Sequence, residues 1–415
     1  MVLKLNLVSH MKTFTKLIYF SLKKIDPRSI YYIKNIPVDK ILLGGEGDLP
    51  GWKYALMSGD LARPSKLATD SVHVKFLRQF GDKQNVSDSE IIKSSYFQNA
   101  LDVSSLLGEY FPGAKNSEEI LVIAKNFLHQ FKNESITMIG KKKFSRKYSL
   151  VKIFPIKKSD YYQINQGNHR LAIQIVKGRR KILARVYPFK KQITPIQFLL
   201  KNTSWEKGEK IIYQPLSAPE LYKEYVIARR CQDRFEMMTS YIKSELKLDP
   251  KKTSYLDLGS YFGWFVNSFL QSGFNSHGVE RDAISIHIGE ILFKDIRNRV
   301  YKNDMYKFLS EGSQKFDVIS CLSIMHHLIN RRESIDPLKL LHAIDKATNK
   351  ILFFEMGQET ESWFKTSLKG WNDSTIPAWV LNNSSFKSFQ SLGKDSDNIG
   401  KFKENFHRTL FVFTK

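Results

Sequence analysis

YLDLGSYFGWF, residues 255–265, joins an apolar run to two glycines that lie four residues apart. The run is typical of a buried strand. Gly259 and Gly263 indicate a tight turn, and apolar residues then recur at helical spacing as far as Gly273. Glycines in such a turn let backbone amides approach a ligand at the N-terminus of the helix. The stretch therefore predicts a site for a nucleotide cofactor, the alternative being an ordinary strand-to-helix turn.

Strands and helices continue to alternate after this stretch. The apolar pattern predicts strands at 275–279, 299–301, 316–320, 351–355 and 409–413, with helices at 283–293 and 338–347. Such alternation builds a doubly wound parallel sheet, so the C-terminal part is predicted to be an α/β domain. Glu280 ends the second strand 23 residues after Asp257. This spacing is close to the ~20 residues at which such folds place a carboxylate on ribose hydroxyls.

Residues 255–415 resemble class I S-adenosylmethionine-dependent methyltransferases. The stretch 257–263 matches their glycine-rich first motif, although Tyr261 stands where many members have glycine. An NAD-type Rossmann enzyme, the main competitor, would need a third glycine in the turn. The resemblance implies S-adenosylmethionine as cofactor and a Rossmann-like fold. It also implies a set of cofactor-binding residues: Asp257, Gly259, Ser260, Tyr261, Gly263, Glu280, Asn303, Asp304 and Ser320.

Catalytic candidates follow the fourth predicted strand. His326 and His327 are the best candidates for a base, because imidazole titrates near neutral pH, and packing at a helix start is the alternative for either ring. Residues 320–323 lack the proline-rich motif that methyltransferases of base amines usually carry in this position. Cys321 ends an apolar strand, so we expect it to be a packing residue rather than a nucleophile. The sequence predicts no metal site.

The N-terminal half carries a second motif at 166–172. A strand at 161–165 precedes Gly167, His169 and Arg170, which open a predicted helix, and a strand follows at 181–186. Residues 31–200 resemble the ParB and sulfiredoxin-like fold, an α+β domain, which implies phosphate or nucleotide recognition by these three residues. A turn that only maintains the fold is the alternative. Sulfiredoxin chemistry needs a cysteine at Asn168 and is disfavoured.

Four segments are predicted along the chain. They are a basic amphipathic segment at 1–30, the α+β domain at 31–200, a linker with an amphipathic helix at 201–246, and the methyltransferase-like domain at 247–415. The first segment could contact an acidic membrane surface. The helix is expected to run from Leu221 to Met238. Its arginines, Arg229, Arg230 and Arg234, are expected on a solvated face.

Charge and cysteine content suggest partners and location. The chain has 65 Lys and Arg residues and 41 Asp and Glu residues. Residues 241–415 contain 24 of the basic and 20 of the acidic residues, so most of the positive excess lies in the first 240 residues. Such an excess fits an anionic partner such as nucleic acid or a phosphorylated glycan, or a lysine-rich solvated surface. With only two cysteines, a reducing, cytoplasmic location is expected.

These features predict methyl transfer to an oxygen or nitrogen of a small-molecule, sugar or glycan-linked acceptor that is anionic or bears hydroxyls. Two alternatives remain open. One is an RNA or DNA methyltransferase that binds the phosphate backbone through its basic half, and the other is a non-catalytic nucleotide-binding module.

Overall fold

A computed structural model describes residues 30–43, 66–110, 113–133, 150–191, 193–200, 210–330 and 335–415. The chain divides into two compact units. Unit 1 comprises residues 1–198 and 218–224, and unit 2 comprises residues 199–217 and 225–415. Residues 1–29 of the predicted basic segment lie outside the described residues. Among the helices that the structure describes, none has both the length and the apolarity needed to cross a membrane.

Unit 1 contains a five-stranded mixed sheet in the order β1-β5-β3-β4-β2. Its strands are β1 (Tyr32–Pro37), β2 (Ile41–Leu42), β3 (Val151–Pro155), β4 (Tyr162–Gln166) and β5 (Lys181–Val186). Its helices are α1 (Val72–Phe80), α2 (Asp88–Lys93), α3 (Ser95–Leu107), α4 (Ser117–Asn133) and α5 (Asn168–Val176), and α6 (Pro195–Leu200) leads out of the unit.

One apolar core joins this sheet to its helices. Alternate residues of β5, such as Ile182 and Ala184, face the same cluster as Phe76 of α1 and Phe127 of α4. Phe76 stacks on Phe127 with ring centroids 5.9 Å apart. Unit 1 is therefore an α+β arrangement, as the sequence predicted.

Unit 2 contains a seven-stranded sheet in the order β10-β9-β8-β11-β12-β14-β13. Its strands are β8 (Ser254–Leu258), β9 (Asn275–Glu280), β10 (Val300–Lys302), β11 (Phe316–Leu322), β12 (Thr348–Glu355), β13 (Ser388–Lys394) and β14 (Thr409–Thr414). Of these seven strands, six run in the same direction, and β14, between β12 and β13, runs antiparallel to them. A short parallel pair, β6 (Ile211–Ile212) and β7 (Val226–Ile227), lies outside this sheet.

Helices cover both faces of the seven-stranded sheet. They are α7 (Gln232–Ser244), α8 (Trp264–Gln271), α9 (Ala283–Leu292), α10 (Met305–Glu311), α11 (Met325–Ile329), α12 (Pro337–Ala347) and α13 (Thr375–Asn382). In β8, Leu256 packs in the core with α12 and α13, whereas Tyr255 packs in the core with α7 and α8. Because neighbouring residues of a strand face opposite sides, this division confirms the predicted doubly wound, Rossmann-like sheet.

The region before α7 differs from its prediction. The expected helix from Leu221 to Met238 is wrong: β7 occupies part of it, and α7 begins only at Gln232. The expected solvated basic face is also wrong for two of its three arginines. Arg229 and Arg234 are 0% and 2% exposed, while Arg230 is exposed. Both buried guanidiniums are bound by carboxylates, which compensates the cost of removing charge from water.

Candidate active site

The turn after β8 has the backbone conformation that its glycines allow. Gly259 and Gly263 adopt left-handed φ angles of +63° and +75°, and Gly263 caps the start of α8. A Cβ on Gly259 would lie 2.9 Å from Cδ1 of Ile324. Tyr261, also left-handed at φ +54°, carries the strain of a non-glycine residue in this region. The turn therefore brings backbone close to the carboxyl end of the sheet.

Glu280 lies beside this turn at the end of β9. Its Oε2 accepts a hydrogen bond from the backbone N–H of Tyr261 at 2.9 Å, and its Oε1 accepts one from Asp282 at 2.8 Å. Two backbone donors thus fix the orientation of the carboxylate. A carboxylate held in this way can still accept hydroxyl hydrogen bonds, because each oxygen has a second lone pair.

Asn303 and Asp304 follow the next strand, β10. The backbone N–H of Asn303 donates to the carbonyl of Glu280 at 3.1 Å, and Asp304 caps α10 by accepting the N–H of Lys307 at 3.0 Å. One oxygen of Asp304 is therefore used by the helix.

A cavity of about 700 Å³ lies at the carboxyl ends of β8 to β11. Open α/β sheets bind their ligands in this place, where the strand order reverses. The predicted residues that line the cavity are Gly259, Tyr261, Glu280, Asn303, Asp304, His326 and His327. Its other lining residues include Tyr213, Arg281, Ser323, Trp363, Phe364, Phe406 and Arg408.

Asp257 and Ser320 are buried at the neighbouring ends of β8 and β11 and are absent from the cavity lining. The hydroxyl of Ser320 donates to Oδ1 of Asp257 at 2.6 Å, and Tyr255 Oη lies 2.7 Å from Ser320 Oγ. Burial raises the pKa of Asp257 to about 7, although the hydrogen bond from Ser320 opposes this shift. Ser260 is buried as well, so the structure brings these residues near the turn without placing them on the cavity surface.

The two histidines line the same cavity as Glu280. His326 is 3% exposed, and its Nδ1 accepts the backbone N–H of Gly357 at 3.2 Å. The ring of His327 lies 4.2 Å from that of His326, measured between centroids. Both belong to α11, which begins two residues after Ser323, a residue held at a left-handed φ of +58°.

A buried ionic cluster adjoins the cavity through Ser323 and Arg408, and the sequence did not predict it. Glu355, at the end of β12, accepts from Arg229 at 2.6 Å and from Arg234 and Arg408 at 3.2 Å each. Burial would raise the pKa of Glu355, yet the three guanidiniums lower it to about 2. Arg408 also donates to both oxygens of Glu361 and to Ser323 Oγ. The cluster thus connects the cavity lining with α7 and β14.

The second motif lies in unit 1, where Gly167 has a φ of +102° and precedes α5. The ring of His169 stacks on Phe127 at 4.2 Å, and its Nε2 lies 2.8 Å from Oη of Tyr96. Burial lowers the pKa of His169 to about 4, so this ring is neutral at pH 7. The guanidinium of Arg170 folds over Gly167. Phosphate recognition by these residues stays a prediction.

A family model described as a methyltransferase domain matches residues 229–390. These residues contain the glycine turn, Glu280 and the two histidines of the cavity. This part of the chain therefore matches a methyltransferase domain. The volume of the cavity is that of a typical site for a small molecule or cofactor. The ParB-like resemblance of residues 31–200 stays a prediction.

Solved structures show distant similarity to the methyltransferase domain. WbdD, described as a bifunctional kinase-methyltransferase, is 18% identical with a TM-score of 0.41, over 52% of this chain and 46% of its own. Magnesium protoporphyrin IX methyltransferase from Synechocystis PCC 6803 is 10% identical with a TM-score of 0.33, over 44% and 79%. A methyltransferase from Archaeoglobus fulgidus is 16% identical with a TM-score of 0.32, over 44% and 94%. The match spans less than half of WbdD, and no curated protein matches the chain.

Proposed function

We propose that this chain transfers the methyl group of S-adenosylmethionine to an oxygen or nitrogen of a small-molecule, sugar or glycan-linked acceptor. One observation carries the proposal. One cavity at the carboxyl end of the sheet is lined by residues of the glycine turn and Glu280 and also by His326 and His327. A cofactor site and an acceptor site are therefore adjacent in the same cavity.

The residues present fit the cofactor. Gly259 keeps the end of β8 free of a side chain, and the carboxylate of Glu280 is suited to ribose hydroxyls. Asn303 and Asp304 follow the next strand, β10, and line the same cavity, and we assign the adenine of the cofactor to them. When bound, S-adenosylmethionine supplies a methyl group already activated on a sulfonium. The protein then has to orient the acceptor and exclude water, which can contribute roughly 7–11 kcal/mol in favourable cases.

The acceptor side of the cavity combines imidazoles with aromatic rings. His326 and His327 can exchange hydrogen bonds or a proton with an acceptor, as general acid–base catalysis requires. Trp363 is 41% exposed, and its ring meets that of Phe406 at 5.3 Å with an interplanar angle of 89°. An indole that packs against Phe406 and is partly exposed offers a flat surface to a ring-shaped acceptor. These features support the predicted hydroxyl-bearing acceptor.

Binding and transfer test the proposal in sequence. Calorimetric titration with S-adenosylmethionine and S-adenosylhomocysteine should give binding that Gly259→Arg abolishes and Glu280→Ala weakens. Radiolabelled S-adenosylmethionine should then label an acceptor in a small-molecule and glycan extract. Absence of cofactor binding by the folded wild type would contradict the proposal.

We further infer a reducing, cytoplasmic location. Cys231 and Cys321 are both buried and free, and burial raises the pKa of both thiols. Thiols in this state are typical of proteins from reducing compartments.

A further inference from the structure

We propose that the ring of Tyr213 borders the sulfonium of bound S-adenosylmethionine and makes the protein prefer this positively charged cofactor to its neutral product, S-adenosylhomocysteine. The inference rests on the proposed function and adds a residue to its site. Tyr213 precedes residues 229–390, the span that matches the methyltransferase domain. Its placement within unit 2 carries the inference.

The backbone of Tyr213 is fixed to the buried ionic cluster. Tyr213 directly follows β6, and its carbonyl accepts the backbone N–H of Arg229 at 2.9 Å. The guanidinium of Arg229 is fully buried and binds Glu355 at 2.6 Å. Tyr213 is therefore held by a residue whose own position is set by a buried ion pair.

The next residue, Gln214, connects this segment to the glycine turn. Gln214 is 4% exposed, and its Oε1 accepts the backbone N–H of Trp264 at 3.4 Å. Trp264 is the first residue of α8 and follows Gly263, which caps the helix. The segment that carries Tyr213 thus lies beside the turn assigned to the cofactor.

The ring of Tyr213 contacts two parts of the cavity lining. Its centroid is 5.8 Å from that of Tyr261, in the glycine turn, and the two rings are inclined at 80°. It also packs against a small apolar cluster that contains Phe406. Tyr213, Tyr261 and Phe406 all line the cavity. Tyr213 therefore lies where the glycine turn meets Phe406, a residue of the proposed acceptor side.

The order of the strands indicates which end of the cofactor meets this ring. We assign the adenine to Asn303 and Asp304 after β10, and the ribose to Glu280 after β9. Because β8 follows β9 in the sheet, the methionine end is expected beyond the ribose, at the turn after β8. That turn contains Tyr261, whose ring contacts Tyr213. The sulfonium is therefore expected beside these two aromatic rings.

An aromatic ring next to this position favours a cation over a neutral group. The face of the ring carries a negative potential and attracts a cation within about 6 Å of its centroid. S-adenosylmethionine carries a positive charge on sulfur, whereas the thioether of S-adenosylhomocysteine is neutral. The two ligands therefore differ in the property that the ring of Tyr213 would recognise.

The arginines of the nearby ionic cluster do not place an uncompensated positive charge beside this ring. Each is paired with buried carboxylates: Arg229 with Glu355, Asp395 and Asp397, Arg234 with Glu355 and Asp397, and Arg408 with Glu355 and Glu361. A sulfonium beside Tyr213 is thus compatible with the charges around it.

Calorimetric titration of the full chain with both ligands tests the inference. We expect Tyr213→Ala to weaken binding of S-adenosylmethionine by about 3–30-fold more than binding of S-adenosylhomocysteine, the factor that a cation–π contact contributes. Tyr213→Leu keeps apolar volume without the aromatic ring and should show the same selective loss. Tyr213→Phe keeps the ring and should preserve the ratio of the two affinities within about twofold.

A control variant separates this effect from general damage to the fold. Tyr225→Ala removes a buried tyrosine next to β7 that is not among the residues lining the cavity, and it should leave the ratio of affinities unchanged. A selective loss of less than about twofold in Tyr213→Leu, or an equal selective loss in Tyr213→Phe, would overturn the inference. If Tyr213→Ala does not fold, Tyr213→Leu decides the question.

The wild-type protein separates this inference from the proposed function. A folded wild type that binds neither ligand contradicts the methyltransferase proposal itself. A wild type that binds both ligands, with a ratio that Tyr213→Leu does not change, contradicts only the role of Tyr213.

Discussion

The carboxylate of Glu280 accepts a hydrogen bond from the backbone N–H of Tyr261 across 2.9 Å. Glu280 ends β9, and Tyr261 lies in the turn after β8, so the contact joins the ends of two adjacent strands. The backbone N–H of Asp282 binds the other carboxylate oxygen at 2.8 Å. The cavity therefore has an oriented carboxylate beside its glycine turn, which favours binding by reducing the ordering that a ligand must induce.

Glu280→Ala should weaken binding of S-adenosylhomocysteine by about 10–100-fold, because hydrogen bonds to a charged group contribute roughly 1.5–3 kcal/mol. Isothermal titration calorimetry measures the change. Glu236→Ala removes an exposed carboxylate of α7 and should leave affinity unchanged. Equal affinity of wild type and Glu280→Ala would exclude Glu280 from the cofactor site.

Gly259→Ala should lower the free energy of unfolding by about 1–2 kcal/mol. About 1 kcal/mol comes from the left-handed φ of +63°, and the smaller remainder from displacing Cδ1 of Ile324, the flexible end of that side chain, from the new Cβ. Gly400→Ala is the matched control, since Gly400 has a φ of +55° and open space around it. Urea denaturation should show the smaller loss for the control, and equal losses would contradict the predicted contact.

Glu355→Ala should destabilise the protein by about 3–5 kcal/mol, because it leaves three buried arginines without their shared carboxylate. Thermal and urea unfolding measure the loss. Glu404→Ala, an exposed position, should change stability by less than about 0.5 kcal/mol.

The lowered pKa of Glu355 also predicts that the stability of the protein depends on pH. The folded pKa is about 2, below its ordinary value of 4.5, so the stabilisation by the ionised group is present above pH 4.5 and is lost as pH falls towards 2. The stability difference between wild type and Glu355→Gln should therefore shrink over this range. A difference that stays constant with pH would show that the charge of Glu355 does not matter.

Asp257→Asn tests the raised pKa of Asp257, a shift in the opposite direction to that of Glu355. Burial raises the pKa of Asp257 from 3.8 to about 7, so the folded state holds a proton that the unfolded chain releases, and stability falls as pH rises between these values. Asn cannot ionise, so the variant should gain about 2–4 kcal/mol relative to wild type between pH 4 and pH 8 in the absence of cofactor. Urea denaturation at both pH values checks this, and parallel pH profiles would contradict the buried, protonated carboxyl.

Local sequence patterns were sufficient for the central elements. The apolar run and the glycines of residues 255–265 predicted β8, its turn and α8, because the side-chain periods of strands and helices are visible within a few residues. Glu280 was predicted from its spacing to Asp257 and lies at the cavity. Ser320 was also predicted to bind cofactor, yet its side chain points to Asp257 behind the cavity, because neighbouring residues of a strand face opposite sides.

The sequence by itself thus determined the order of strands and helices, the glycine turn and the acid that follows β9. Only the tertiary structure decided the roles of Arg229, Arg234 and Arg408, since their carboxylate partner, Glu355, lies 126, 121 and 53 residues away along the chain. It likewise decided the partner of His326, whose Nδ1 accepts the amide N–H of Gly357, 31 residues further on. Periodicity reports which face of an element is apolar, whereas the partner of a buried charge depends on how distant segments meet.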